Sequence, residues 1–139
     1  MQLAFLDTKL SKEVKRKTEK LISSYKNLEA IIESKKMDAE HKMTVNYQPS
    51  ESQRGNQFHS ETEKIAELNI EIKEHLLTMR KLNVVYHSLK PIQQRIWDQK
   101  FLRGRYDVDV YSDLDIPDRT YYRLKREMIA VVAEAFGFI

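Results

Sequence analysis

Between residues 8 and 36, Val14, Thr18, Leu21, Tyr25, Leu28 and Ile32 recur at alternating spacings of four and three, and Ile22 and Ile31 widen the stripe. This is the a/d seam of a helix that meets a partner. No Gly or Pro interrupts it, so the spacing predicts one helix, which at about 1.5 Å per residue is roughly 43 Å long. From residue 37 to residue 59 the periodicity gives way to polar positions that include Pro49 and Gly55. Too little apolar surface is available there to offset chain entropy, and a flexible loop over 37–59 is expected. A second helix is expected from Ser60, which with Glu63 forms a capping box. Its stripe is Ile65, Leu68, Ile72, His75, Met79, Leu82 and Tyr86, ending near His87.

Two stripes of similar length joined by a loop predict a helical hairpin or coiled coil over residues 1–87, serving oligomerisation or partner binding. A homodimeric four-helix bundle is the alternative arrangement of the same seams. Beyond Ser88, Pro91 suits the first turn of a new helix, which is expected to bury Ile92, Ile96, Trp97 and Phe101 or Leu102 and to end at Arg103-Gly104-Arg105. Asp107 can cap a short helix carrying Val110, Tyr111 and Leu114. The turn Asp115-Ile116-Pro117 then leads into a last helix from Asp118 to about Phe136, closed by Gly137 at C′. The expectation is therefore all-α: a long N-terminal hairpin, then a three-helix head over residues 88–139 with helix-turn-helix layout.

Composition narrows the function classes. Only three glycines and three prolines occur in 139 residues, too little punctuation for many short strands. Without cysteine, the chain has no thiol catalysis, disulfide or Cys-ligated metal site. No apolar run is long enough to span a bilayer, and Met1–Asp7 lacks a signal-peptide pattern, so a cytoplasmic protein without a membrane partner is expected. The net charge of +3 comes from 24 basic and 21 acidic residues, and its distribution matters more than its sum.

That distribution singles out the start of the last helix. Four of the eight positions from Arg119 to Arg126 are basic (Arg119, Arg123, Lys125, Arg126), Tyr121 and Tyr122 lie among them, and no acid intervenes. Tyr121, Leu124, Met128, Val131, Val132 and Ala135 share the face expected to pack inward. A helix entering the major groove needs such an exposed face: Arg donates two bonds to guanine while other cations neutralise phosphate. Arg119, Tyr122 and Arg123 are the expected base readers, and Thr120, Lys125 and Arg126 the expected phosphate contacts. Asp118 serves as helix cap or as acceptor for a cytosine amino group. The plainer alternative is a solvated basic face.

The run Val110-Tyr111-Ser112-Asp113-Leu114-Asp115-Ile116-Pro117-Asp118-Arg119-Thr120-Tyr121-Tyr122-Arg123-Leu124-Lys125, followed by Ala130 and Ala133-Glu134-Ala135-Phe136-Gly137, resembles the C-terminus of the ArpU family. These are phage-encoded transcriptional regulators that are also similar to the last DNA-binding region of bacterial sigma factors. The resemblance covers about the last 50 residues and over the N-terminal helices is one of layout only. It implies an activator of phage or prophage late genes that binds double-stranded DNA and contacts host RNA polymerase, in a bacterial cytoplasm. The family pattern carries Ser at the capping position that is Pro117 here, which moves the expected cap to Asp118. Two other readings fit the same layout: a coiled-coil adaptor that binds a protein such as RNA polymerase without reading DNA, and a DNA-packaging subunit of small-terminase type.

Other residues carry less. His41, His59, His75 and His87 stand far apart and form no metal-ligand motif. His75 reads as a polar seam position, with Glu71 four residues before it. The carboxylates form no evident acid–base pair, so no catalytic residue, metal or cofactor is expected and the chain does not read as an enzyme. Lys9, Lys12, Lys15, Arg16, Lys17 and Lys20 make the first helix basic, as a solvated coiled-coil flank or a second phosphate-tracking surface.

Overall fold

A computed structural model describes residues 10–45 and 54–139 of the chain. All the described elements are helical. They are α1 (Lys12–Val45), α2 (Arg54–Ser88), α3 (Pro91–Ile96), a π-helical stretch (Trp97–Leu102) that continues α3, α4 (Asp107–Asp113) and α5 (Asp118–Ala135).

The first helix begins later than its seam suggested. The Ser11 hydroxyl accepts the Val14 backbone N–H at 3.1 Å, which satisfies one of the donors a helix start leaves open. Residues 8 and 9 lie outside the described residues. At its other end α1 continues to Val45, and α2 is already helical from Arg54, which corrects the loop expected over 37–59. Residues 37–45 contain no Gly or Pro, Ala39 is buried, and extending a formed helix adds one hydrogen bond per residue fixed. Of that loop, residues 46–53 with Pro49 lie outside the described residues. Ser60 is likewise no cap, since it stands in the second turn of a helix that begins at Arg54.

The chain divides into two compact units, residues 27–79 and residues 1–26 with 80–139. This division runs through both long helices and differs from the expected boundary at residue 87. In the first unit Leu28, Ile32, Ala39 and Ile72 are buried. Lys35 of α1 joins α2 there, with its ammonium 2.8 Å from Glu71 Oε2 and 3.1 Å from His75 Nε2. An ammonium only donates, so His75 Nε2 accepts. The Lys35 hydrogen bond and charge hold the Glu71 carboxyl below its ordinary pKa.

In the second unit the start of α1 is part of the head. Leu10 is buried with Ile129, Ala130 and Ala133 of α5, and Val14, Phe138 and Ile139 pack on that cluster. The Lys17 ammonium stands 4.2 Å from the Phe138 ring centroid. A second cover on α5 explains which of its residues are inside. Tyr121, Leu124, Met128 and Val132 are buried as their spacing predicts, but so are Ile129, Ala130 and Ala133. Val131 and Ala135, expected inside, are exposed. In α1 it is Thr18 and Ile22 that are fully buried, and the Thr18 hydroxyl donates to Val14 O at 2.7 Å.

Ile96, Trp97 and Phe101 are buried as well. The π register is closed by the Arg103 N–H donating to Asp98 O, five residues back, at 3.1 Å, and Gly104 with φ +68° ends the stretch. Gln93 is a buried polar residue with both ends occupied. Its Nε2 donates to Leu124 O at 3.2 Å and its Oε1 accepts the Lys90 N–H at 3.1 Å, tying the first turn of α3 to α5. The end of α5 follows the Schellman pattern: Phe138 N–H donates to Ala133 O at 2.8 Å and Gly137 N–H to Glu134 O at 3.1 Å, with Gly137 at φ +71°.

Candidate nucleic-acid interface

The turn that presents α5 repeats the Schellman pattern without glycine. Ile116 N–H donates to Tyr111 O and Asp115 N–H to Ser112 O, each at 3.2 Å, and Asp115 takes the left-handed position at φ +55°. Asp tolerates that conformation better than most side chains because it is short and polar. Ile116 is half-buried beneath the turn, and Pro117, in extended conformation, is the N-cap residue of α5. Asp118 is therefore the first helical residue and not the cap. Its Oδ1 accepts the N–H of Arg119 at 2.7 Å, and its negative charge complements the positive end of the helix dipole.

Arg119, Tyr122, Arg123 and Arg126 follow at i, i+3, i+4 and i+7, which sets them on one face, and all four are exposed. Tyr122 is 44% exposed and is held edge-on by Tyr111 and Tyr121, with ring centroids 6.3 and 5.2 Å away. Arg123 has a loose ion pair with Glu127 at 3.9 Å. Thr120 is half-buried at the edge of this face.

Lys125 departs from its expected place. Its side chain is only 11% exposed, and its ammonium lies 3.2 Å from Asp107 Oδ1 and 3.3 Å from Glu19 Oε1. The physical reason is its angular position: four residues after buried Tyr121, it stands on the flank of the core face and reaches back under α5 toward α4. A cation held between two carboxylates is not presented to phosphate, which corrects its expected role.

Asp107 is corrected by the same cluster. The N-cap of α4 is Tyr106, which makes no side-chain capping bond. Asp107 instead accepts the Tyr121 hydroxyl at 2.5 Å, the Lys125 ammonium and an ion pair from Lys100 at 3.7 Å. Burial opposes ionisation of Asp107, but the Tyr121 hydrogen bond and the Lys125 and Lys100 charges outweigh it and hold the carboxyl below its ordinary pKa. Burial, and then the hydrogen bond to an ionised carboxylate, push the Tyr121 phenol well above its ordinary range. This cluster was not singled out from the sequence. The only linear hint was Asp107 standing fourteen residues before a tyrosine that pattern alone had placed in the core.

Among the described residues no group of His, Asp and Glu could hold a metal ion, and no helix is long and apolar enough to cross a membrane.

The chain is similar to Protein Gp66 of Listeria phage A118, with 26% identity over 96 residues that cover 68% of this chain and 67% of Gp66. No family model matches the chain, and no solved structure matches it.

Proposed function

We propose that this protein is a sequence-specific DNA-binding regulator of transcription that uses α4, its turn and α5 as a helix-turn-helix, in the manner of the ArpU family that the C-terminal run resembles. One observation carries the reading: Arg119, Tyr122, Arg123 and Arg126 form an exposed stripe on the first turns of α5, while the opposite face of the same turns is buried. A recognition helix has this division, because its first turns must enter the groove while the helix stays anchored. Arg119, Tyr122 and Arg123 reach bases, and Thr120 and Arg126 contact phosphate at the groove edge. Asp118, at the helix start, accepts from a cytosine amino group. Lys125 positions α5 through Asp107 and Glu19. The similarity to a phage protein supports a phage setting, and activation of late genes with host RNA polymerase as a second partner follows from the resemblance.

Selection of duplexes from a random pool by the full-length chain, followed by titration at several salt concentrations, tests the reading. Expected are an enriched sequence that survives competitor DNA and a linear fall of log affinity with log salt. If the pool returns no preference and affinity is flat with salt, the stripe is a solvated face and the protein-adaptor reading replaces this one.

A further inference from the structure

A cleft of about 260 Å³ lies within the unit of residues 1–26 and 80–139, and no residue of α5 lines it. Tyr25 of α1, Tyr86 of α2, and Trp97, Asp98 and Leu102 of the π-helical stretch form its lining, with the exposed Asn83 and His87 at its rim. The π register assembles one wall. At 3.6 residues per turn Leu102 would stand about 140° round the helix from Trp97, whereas a turn closed five residues apart returns it over Trp97 and beside Asp98. Such turns recur at functional sites. The rings of Tyr86 and Trp97 meet edge to face, with centroids 5.5 Å apart and planes at 73°, so the aromatic lining is a corner and not a flat wall.

Asp98 is the charge in this corner. Its Oδ2 accepts the Tyr86 hydroxyl at 3.1 Å, it is half-buried, and among the described residues no lysine, arginine or histidine forms an ion pair with it. Asp107 and Asp113, by contrast, each have a cation of the same unit, Lys125 and Arg105. Charge and lining together select the occupant. An anion would meet the carboxylate, and no lysine or arginine lines the cleft to hold it. A purely apolar occupant would strip water from the carboxylate and return nothing. A cation gains from the carboxylate and from the aromatic rings, and a guanidinium sheds water more readily than an ammonium and stacks on aromatic faces. The volume is below the roughly 300–1,000 Å³ of sites that enclose a whole small molecule, and suits one such group with its stem.

We propose that the cleft between Tyr25, Tyr86 and Asp98 binds a guanidinium group on an alkyl stem, as arginine carries it. Asp98 accepts its N–H groups, and the tyrosine rings flank it. Tyr86, through its hydroxyl, is also a positioning residue for Asp98. This site is separate from the arginine stripe of α5, and its failure would leave the DNA-binding reading where it was.

Trp97 is the single tryptophan of the chain, so its fluorescence reports on this cleft. The full chain is titrated with N-acetyl-arginine N-methylamide, which stands for an arginine within a protein, and with free arginine. The matching lysine derivative and the citrulline derivative, which keeps the shape and lacks the charge, are the controls. Expected is a saturable change with the arginine compounds, tighter for the capped form if the source is a protein and for the free form if it is the amino acid. The lysine derivative binds more weakly and the citrulline derivative does not bind. Asp98→Asn, which still accepts the Tyr86 hydroxyl, raises the dissociation constant at least about tenfold, and Tyr25→Leu raises it several-fold, with the helical circular dichroism signal unchanged. A folded Asp98→Asn chain that binds as the parent does overturns the proposal. So does the absence of saturable change with both arginine compounds, equal binding of the citrulline derivative, or tighter binding of the lysine derivative. These last three outcomes are read on the unsubstituted chain and do not depend on how a variant folds.

Discussion

The Tyr121 hydroxyl donates a 2.5 Å hydrogen bond to Asp107 Oδ1, joining the fully buried aromatic residue of α5 to the first residue of α4. This bond fixes how α5 is presented, because the same carboxylate also takes the Lys125 ammonium and so ties two successive turns of α5 to α4. Tyr121→Phe keeps the ring in place and removes only the donor. Hydrogen bonds to charged groups contribute about 1.5–3 kcal/mol, and a loss of about that size is expected from the urea midpoint, with the m-value unchanged.

The cluster also sets the acid limb of stability. Asp107 has a folded pKa lowered from its ordinary value of 3.8. Its contribution is therefore complete above that unfolded value and lost as pH falls through the lower, folded one. Asp107→Asn should flatten the fall in stability below about pH 4 and cost stability at neutral pH, both read from urea midpoints across a pH series. At the alkaline end the sign reverses. Tyr121 has a folded pKa raised from 10.0, so its contribution is complete below that unfolded value and lost as pH rises beyond it. Tyr121→Phe should remove this loss.

Lys125 and Arg126 are neighbours with separable roles. Lys125→Met retains the stem but removes the ammonium from Asp107 and Glu19, so it should lower thermal stability while leaving the salt slope of duplex binding as it was. Arg126→Ala should instead reduce the slope by about one. An unchanged slope for Arg126→Ala would remove that residue from the interface.

Arg123 stands on the exposed stripe, and its pair with Glu127 is long enough to release. Arg123→Ala should cost about 1–3 kcal/mol of binding to the selected duplex and relax preference at one base position. A uniform loss on all sequences, measured on a panel of single-base variants, would make it a phosphate contact instead.

Asp115 holds a left-handed backbone that glycine adopts without strain. Asp115→Gly should leave stability equal or raise it by a few tenths of a kcal/mol, and Asp115→Val should lower it by about 1–2 kcal/mol. Thermal unfolding distinguishes the two. A loss on Asp115→Gly would mean that the carboxylate, and not the backbone, is what the turn requires.

Part of what neighbours within a turn or two govern was legible in the chain itself, although the caps expected at Ser60, Asp107 and Asp118 are not formed there. The helical class, Pro91 opening α3, Gly137 closing α5 and the arginine stripe of α5 all follow from spacing and local backbone chemistry, because a helix sets its own period and its end groups must be satisfied nearby. The extent of α1 and α2 was understated, since polar residues 37–45 weaken a periodic signal without breaking a helix. Only tertiary structure decided the rest. Leu10 and Ile129 are distant in sequence and bury each other, which turned a second face of α5 inward. Lys125 belongs to Asp107 and Glu19 and not to solvent, and Asp107 supports a buried tyrosine instead of capping α4. Such partners are chosen by how helices pack. Sequence spacing fixes which side of a helix a side chain leaves from, but not what it meets.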